Sequence, residues 1–150
     1  MGQKVNPIGF RLGITNTWEA KWFASGAKYK QNLEEDIKIR KALLARLKNA
    51  GVAKIEIERT ASKLKVVIFV SRPGVMIGRG GIGLSELKKF LMKELKIEKE
   101  AGLEIVPMDI KSPDLSAYLV AQNMADQLAR RMPASRVMNQ ALERVMRAGA

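Results

Sequence analysis

The sequence contains no cysteine and no histidine. Disulfide bonds, thiolate or imidazole metal ligands, cysteine nucleophiles and serine–histidine–aspartate catalysis are therefore excluded within these 150 residues. Catalysis would have to use carboxylates, lysine, tyrosine or a serine–lysine pair. We expect no enzyme activity, no metal and no cofactor, and nothing in the composition indicates an oxidising compartment.

Long apolar runs are missing as well. The longest uninterrupted one covers residues 66–70, far fewer than a membrane-spanning helix needs. The N-terminus lacks the apolar stretch of a signal peptide, and Asn6 stands where a myristoylation signal has serine or threonine. We therefore expect a cytoplasmic protein with no membrane partner.

Acidic residues are scarce relative to basic ones. The chain has 27 Lys and Arg against 15 Asp and Glu, a formal charge of +12. Such a chain repels itself when folded, and a polyanion relieves this repulsion while releasing its condensed counterions. Hydrophobic residues make up 47% of the chain, which is enough for a core. The composition predicts a folded protein with a polyanionic partner, either RNA or DNA.

Residues 1–33 are predicted to form a basic arm, because clustered glycine, proline and asparagine favour turns over regular elements. Its low periodicity and its charge suggest mobility in the free chain. The arm contains aromatic residues that either pack it onto the domain or stack on RNA bases. These are Trp18, Trp22, Phe23 and Tyr29.

A first helix is predicted from Asn32, a capping residue with Glu35 three positions later, to about Gly51. Its apolar stripe is expected at Leu33, Ile37, Leu44 and Leu47. A second helix after residue 82 has its stripe at Leu84, Leu87, Leu91 and Leu95.

Alternating apolar residues predict strands over 53–58 and 64–70, joined as a hairpin through Thr60-Ala61-Ser62. A third strand is predicted over 103–111, at an edge because Pro107 lacks an amide donor. Two more helices are predicted after Ser112, interrupted by Pro133. The result is an α+β fold with one small mixed sheet.

A glycine-rich turn precedes the second helix. Gly78-Arg79-Gly80-Gly81, preceded by Ile77, matches the Gly-x-x-Gly turn of KH domains, whereas Gly78, Gly80 and Gly83 match a dinucleotide fingerprint. In both, glycine lets the backbone approach an anion closely. Residues 71–77 separate the turn from its strand, and the strands form a hairpin, so the context favours the KH turn over a dinucleotide site or a plain loop.

Four segments resemble the bacterial ribosomal protein S3 family. They are Met-Gly-Gln-Lys-Val-Asn-Pro-Ile-Gly-Phe-Arg-Leu-Gly (1–13), Arg-Pro-Gly-Val-Met-Ile-Gly-Arg-Gly-Gly (72–81), Ile-Lys-Ser-Pro-Asp-Leu-Ser-Ala (110–117) and Leu-Ala-Arg-Arg (128–131). The resemblance implies a type II KH domain ordered α-β-β-α-α-β, with a three-stranded sheet. The implied parts are an arm over 1–33, the KH domain over 34–111, and the start of a second domain over 112–150.

The resemblance also implies a structural constituent of the small (30S) ribosomal subunit. It would bind small-subunit rRNA in the head, near the channel through which mRNA enters, through the turn and the basic arm. Ribosomal proteins S10 and S14 are the implied protein partners and mRNA is a further candidate, whereas a homo-oligomer is not expected. Where the family carries two adjacent arginines and then a lysine, this chain has Ser135, Arg136 and Asn139, so Arg136 alone is a candidate mRNA contact.

The predicted RNA-binding residues combine the turn with nearby and arm cations. They are Gly78, Arg79, Gly80, Gly81, Arg72, Lys88, Lys89, Lys93, Lys4 and Arg11. Each of these lysines either contacts phosphate or is an ordinary solvated surface charge. Ile77 and Ile82 either line a groove for the bases or pack in the core. Two other functions remain open: a free regulatory KH protein, and a nucleotide-dependent enzyme using Gly78 to Gly83.

Overall fold

The computed structural model describes residues 2–60, 63–95 and 102–150. Within these residues the helices are α1 (Pro7–Arg11), α2 (Ala27–Arg46), α3 (Pro73–Ile77), α4 (Ile82–Leu95), α5 (Ala117–Ala129) and α6 (Ala134–Arg147). The strands are β1 (Ala20–Lys21), β2 (Val52–Arg59), β3 (Leu64–Val70) and β4 (Leu103–Asp109). Short 3-10 turns cover Lys48–Ala50, Arg79–Gly81 and Pro113–Leu115.

The strands form one mixed sheet in the order β1-β2-β3-β4. β2 and β3 are antiparallel, with Ile57 opposite Val66, and β4 runs parallel to β3. The predicted hairpin is thus confirmed, although Ala61 and Ser62 of its connection lie outside the described residues. Pro107 lies in β4, an edge strand of the described sheet, as expected.

The expected three-stranded sheet has a fourth strand, which the arm supplies. β1 pairs in parallel with β2, placing Ala20 opposite Ile57. The Ile57 N–H also donates a hydrogen bond of 2.8 Å to the carbonyl oxygen of Glu19. The arm is therefore part of the sheet at this point, and the prediction of three strands was wrong because two residues give no periodic signal.

The hydrophobic core lies between one face of the sheet and helices α2 and α4. Every second residue of β3 faces it, which is why this strand alternates in sequence. In β2, Ile55 and Ile57 face it, and a register shift near Val52 interrupts the alternation. Leu87 and Leu91 are buried there, with Leu84 and Leu95 packed beside them, so the predicted α4 stripe is confirmed. The cluster consists of Ile39, Leu43, Leu47, Ala50, Val52, Ile55, Ile57, Leu64, Val66, Ile68, Val70, Met76, Leu87, Leu91 and Leu103.

The stripe predicted for α2 was largely wrong. Ile39 and Leu43 are buried with Leu47, while the predicted members Leu33, Ile37 and Leu44 are exposed. The buried face also includes Asp36, which is 4% exposed. Helix α2 therefore faces the core with the side that carries Asp36, Ile39 and Leu43, and not with the more apolar side predicted from the sequence. Asp36 can be buried on this side because it has polar partners within the protein.

Helix boundaries also depart from the sequence prediction. α2 begins at Ala27 after Gly26, whose φ is 61°, so Asn32 lies inside the helix and does not cap it. α5 begins at Ala117, because residues 113–115 form a 3-10 turn and Ser116 is extended. In the arm, Asn6 Oδ1 accepts hydrogen bonds from two backbone amides and caps the unpredicted helix α1.

The central order α2-β2-β3-α3-α4-β4 matches the α-β-β-α-α-β order implied by the resemblance. α5 and α6 follow as a packed pair. Leu119 of α5 is buried where it faces Gly51, and Val137 of α6 is buried as well. In the described segments, no helix combines the length and apolar character needed to cross a membrane.

Candidate nucleic-acid interface

The glycine turn joins the end of α3 to the start of α4. The Gly78 N–H donates a hydrogen bond of 3.0 Å to the Gly74 carbonyl, which closes α3. Gly78, Gly80 and Gly81 have φ values of 69°, 64° and 78°. L-residues rarely adopt this conformation, so the turn requires glycine at these positions. The backbone conformation of the turn is therefore enough to explain why Gly78, Gly80 and Gly81 are glycines.

Gly83 has a different role, since it allows α4 to approach α3 closely. A Cβ at this position would lie 2.7 Å from the Met76 carbonyl oxygen and 3.0 Å from that of Ile77. Gly83 is therefore a packing glycine. The turn follows a helix, whereas a dinucleotide turn follows its strand directly, so the geometry does not support the nucleotide-enzyme hypothesis.

Exposed backbone and positive charge meet at this turn. Arg79 and Gly80 are exposed, and α4 begins immediately afterwards. The first turn of α4 carries the positive end of the helix dipole. The Ile82 N–H donates to the Arg79 carbonyl and the Gly81 N–H to that of Gly78, so the dipole, the exposed turn and the Arg79 guanidinium are what the surface offers to phosphate oxygens.

Apolar side chains flank the turn. Val75 and Ile82 are exposed, at 56% and 61%, while Ile77 is half-buried. The core-packing alternative is therefore wrong for Ile82. An apolar surface next to an anion-binding turn suits the bases of a strand whose backbone the turn holds.

The basic side chains of α4 continue the positive surface. Lys89 and Lys93 are exposed and four residues apart, which puts them on the same side of the helix, and Lys88 is half-buried. None of the three forms an ion pair with the described residues. Glu86, the acid nearest the turn on α4, faces Arg46 at 3.7 Å.

The other predicted site residues lie in parts of the chain other than the turn and α4. Arg72 precedes α3, at the end opposite the glycine turn, and its N–H donates to the Ala50 carbonyl. Lys4 and Arg11 are exposed on the arm, before and within α1. Arg136 is exposed in the first turn of α6. Arg79 and the α4 lysines thus lie on the turn and on the helix that follows it, whereas these four cations belong to other parts of the chain.

By contrast, the lysines beside the sheet are neutralised. Lys54 and Lys21 contact the two carboxylate oxygens of Glu56 at 2.8 and 3.0 Å, and Lys21 also contacts Glu58 at 3.0 Å. Burial raises the pKa of Glu56, but the hydrogen bonds from Lys54 and Lys21 outweigh it and hold that pKa below its ordinary 4.5. The hydrogen bonds to Glu58 and Glu56 raise the pKa of Lys21. Positive charge is therefore paired at the sheet and available at the turn.

The aromatic residues of the arm behave differently from one another. Trp22 is half-buried, and its ring centroid lies 5.6 Å from that of Tyr29. Trp18 and Phe23 are 64% and 95% exposed. The packing alternative thus holds for Trp22, while Trp18 and Phe23 are accessible to a partner.

Sequence reasoning missed a second group of cations. Lys48, Arg130 and Arg144 join Arg72 around a cleft of about 500 Å³. They come from separate elements, so no spacing pattern in the sequence could have connected them. Over the described residues, there is no group of three or more acidic side chains that could hold a metal ion.

Comparison with known proteins gives a consistent result. The family model described as KH domain matches residues 38–115. Small ribosomal subunit protein uS3 of Clostridium novyi (strain NT) is 47% identical over 150 residues, covering 100% of this chain and 66% of that protein. The protein of the same name from Geobacter metallireducens is 49% identical over 150 residues, covering 100% and 69%. The chain therefore spans about two thirds of the length of these relatives.

Proposed function

The chain belongs to the uS3 family of small ribosomal subunit proteins and contains a KH domain, and on that premise we propose that it is a non-catalytic, RNA-binding component of the small subunit. One observation carries the proposal. The Gly78–Gly81 turn is built from three glycines with positive φ, and the exposed Arg79 lies within it. KH domains hold backbone nucleotides with such a turn.

Binding begins with the phosphates. Without side chains at Gly78, Gly80 and Gly81, a sugar–phosphate strand approaches the backbone closely, and the positive end of the α4 dipole attracts its oxygens. Arg79 adds a charged contact. Bases of the same strand then lie against Val75 and Ile82, which carry no hydrogen-bonding groups in their side chains and therefore select little for sequence.

The α4 lysines and the arm extend this contact. Lys88, Lys89 and Lys93 continue the positive surface beyond the turn, and Arg72, Lys4 and Arg11 supply further phosphate contacts in the proposal. Because cations that neutralise phosphates release counterions, the affinity falls steeply as salt rises. A flat salt response is incompatible with this mechanism.

The family supports a more specific placement, which we include in the proposal. The RNA is small-subunit rRNA in the head, near the channel through which mRNA enters, and Arg136 contacts mRNA. Ribosomal proteins S10 and S14 are neighbours, and the chain acts in the cytoplasmic ribosome as a single copy. The proposed parts are the arm over 1–33, the KH domain over 34–111 and the beginning of a second domain over 112–150.

The turn is tested with the double variant Arg79→Asp/Gly80→Asp. Two carboxylates facing the phosphates lower the affinity for a small-subunit rRNA fragment at least about tenfold, since each like-charge contact costs on the order of 1 kcal/mol or more. The matched control is Arg79→Gln/Gly80→Asn, which has side chains of similar shape at the same backbone positions without negative charge. Unchanged affinity in the aspartate variant, measured by filter binding, would rule out the turn as the RNA contact.

Subunit membership has its own experiment. A tagged copy of the chain, fractionated on a sucrose gradient, is expected with the small subunits. Recovery only in the light fractions, with RNA binding intact, would favour a free regulatory KH protein instead.

A further inference from the structure

A basic cleft lies between the α5–α6 pair and the loop that precedes α3. Four cations line it: Lys48, Arg72, Arg130 and Arg144. None of them forms an ion pair with any residue that the structure describes. Asp114 and Asp126 line the cleft as well, which leaves an excess of positive charge. Like charges on separate elements repel, so this grouping suits an anion between them.

Amide side chains add hydrogen-bonding groups to the basic cleft. Asn49, Gln122, Asn123 and Gln127 all line it. Gln127 Nε2 donates to Asn123 Oδ1 at 2.7 Å, which orients both amides and leaves the Gln127 carbonyl oxygen as an acceptor and the Asn123 amide nitrogen as a donor. Paired donors and acceptors of this kind match the edges of nucleobases.

An aromatic side chain stands in a groove next to the cleft. This groove, of about 450 Å³, shares Lys48, Asn49, Gln122 and Asp126 with the basic cleft, so the two are continuous. Tyr118 lines the groove and is 50% exposed. An accessible ring beside cations is the arrangement with which proteins stack single-stranded bases.

We propose that the basic cleft and the Tyr118 groove bind a single-stranded RNA segment as a second site on this chain. Arg130, Arg144 and Arg72 contact phosphates, and a base stacks on Tyr118. The inference rests on the proposed RNA-binding function and extends it to residues that lie outside the KH turn. Arg136 does not line the cleft, so the site is separate from the candidate mRNA contact.

The position of Arg72 connects the two sites. It stands at one end of α3 and the glycine turn at the other. Five helical residues span about 7 Å, so one strand can contact both the turn and the cleft. An acidic peptide would use the same arginines but gains little from an accessible aromatic ring and oriented amides, which is why RNA fits the cleft better.

The charge contacts are tested with Arg130→Gln/Arg144→Gln. Both side chains are exposed, so the variant is expected to fold. Binding of a fluorescein-labelled oligouridine is followed by anisotropy over a range of salt concentrations. Each phosphate contact to a single strand contributes about 0.7 to the slope of log affinity against log salt, so the slope falls by about 1.4. The control Lys41→Gln/Arg147→Gln removes the same charge outside the cleft and leaves the slope unchanged.

The stacking contact is tested separately with Tyr118→Leu and Tyr118→Phe. Leucine removes the ring and lowers oligouridine affinity about tenfold, whereas phenylalanine retains it and binds like the parent chain. A 4-thiouridine placed in the oligonucleotide is expected to cross-link to the peptide that contains Tyr118. Equal affinity of the leucine and phenylalanine variants would overturn the stacking contact.

The outcomes separate this inference from the proposed function. Loss of binding in Arg79→Asp/Gly80→Asp, with unchanged slope and affinity in the cleft variants, overturns the second site and leaves the turn in place. No binding by the parent chain overturns both. Competition by poly-glutamate as effective as that of oligouridine at equal charge would identify a general polyanion cleft and overturn the RNA assignment.

Discussion

The indole Nε1 of Trp22 donates a hydrogen bond of 2.7 Å to Oδ2 of Asp36. The other oxygen of this carboxylate accepts from the Arg59 guanidinium at 3.0 and 2.6 Å, and that guanidinium lies 6.0 Å from the Trp22 ring. One buried acid therefore joins the arm, α2 and β2. Because of this network, the arm contacts α2 and β2 at Trp22.

Replacing Asp36 with alanine is expected to lower the free energy of unfolding by about 3 kcal/mol, because Arg59 keeps a mostly buried charge with one acid fewer. Urea denaturation measures the effect, and Trp22 fluorescence, recorded in a Trp18→Phe background because Trp18 also emits, reports release of the arm. The control Glu34→Ala removes an exposed α2 acid paired with Lys38, and its effect on the free energy of unfolding is expected to be much smaller. Equal losses in the two variants would contradict the buried network.

Gly83→Ala is expected to destabilise the protein by about 2 kcal/mol, because its Cβ would press on two backbone carbonyl oxygens of α3. Gly74→Ala is the matched control within α3, since a Cβ there meets nothing within 4 Å. The control is expected to be neutral or slightly stabilising. Thermal unfolding compares them, and similar melting temperatures would show that α3 and α4 are not closely packed.

Acid sensitivity is expected to depend on Glu56. Its pKa is lowered in the folded state, so its contribution to stability is present above the unfolded pKa and is lost as the pH falls through the folded one. The difference in unfolding free energy between the parent chain and Glu56→Gln is therefore largest near neutral pH and shrinks below about pH 4.5. Urea titrations at several pH values measure it.

The control for this pH experiment is Glu104→Gln, an exposed residue of the edge strand β4. A pH-independent difference for Glu56→Gln would contradict its ion pairs with Lys21 and Lys54.

The arm cations are expected to contribute to RNA affinity through charge. In Lys4→Gln/Arg11→Gln, the slope of log affinity against log salt for an rRNA hairpin falls by about 1.8, at about 0.9 for each lost phosphate contact to a duplex. Both residues are exposed, so folding is unaffected. Filter binding measures the slope, with Lys41→Gln/Arg147→Gln as the charge-matched control; equal slopes would exclude the arm from the interface.

Regular repetition made part of the structure predictable. Residues 64–70 give a strand because a buried strand needs apolar residues at alternating positions, and Leu87 and Leu91 give the inner stripe of α4. The turn was recognised because glycine has few alternatives where φ is positive.

Features set by tertiary contacts could not be predicted. The inward face of α2 depends on Asp36, whose burial is stable only because Arg59 and Trp22 reach it from distant segments. β1 exists because β2 offers it an edge. Arg130 and Arg144 meet Arg72 only after α5 and α6 pack together. In each case, the information lies in pairs of residues far apart in sequence.

The two edges of the sheet affect how readily the newly made protein aggregates. β1 occupies backbone groups near the C-terminal end of β2 on its outer side, and Pro107 removes one amide donor from β4 on the opposite edge. Unpaired strand borders are the usual templates for intermolecular aggregation. Before it binds RNA, the free protein is thus protected against β-sheet aggregation with its own copies by the backbone of its two edge strands.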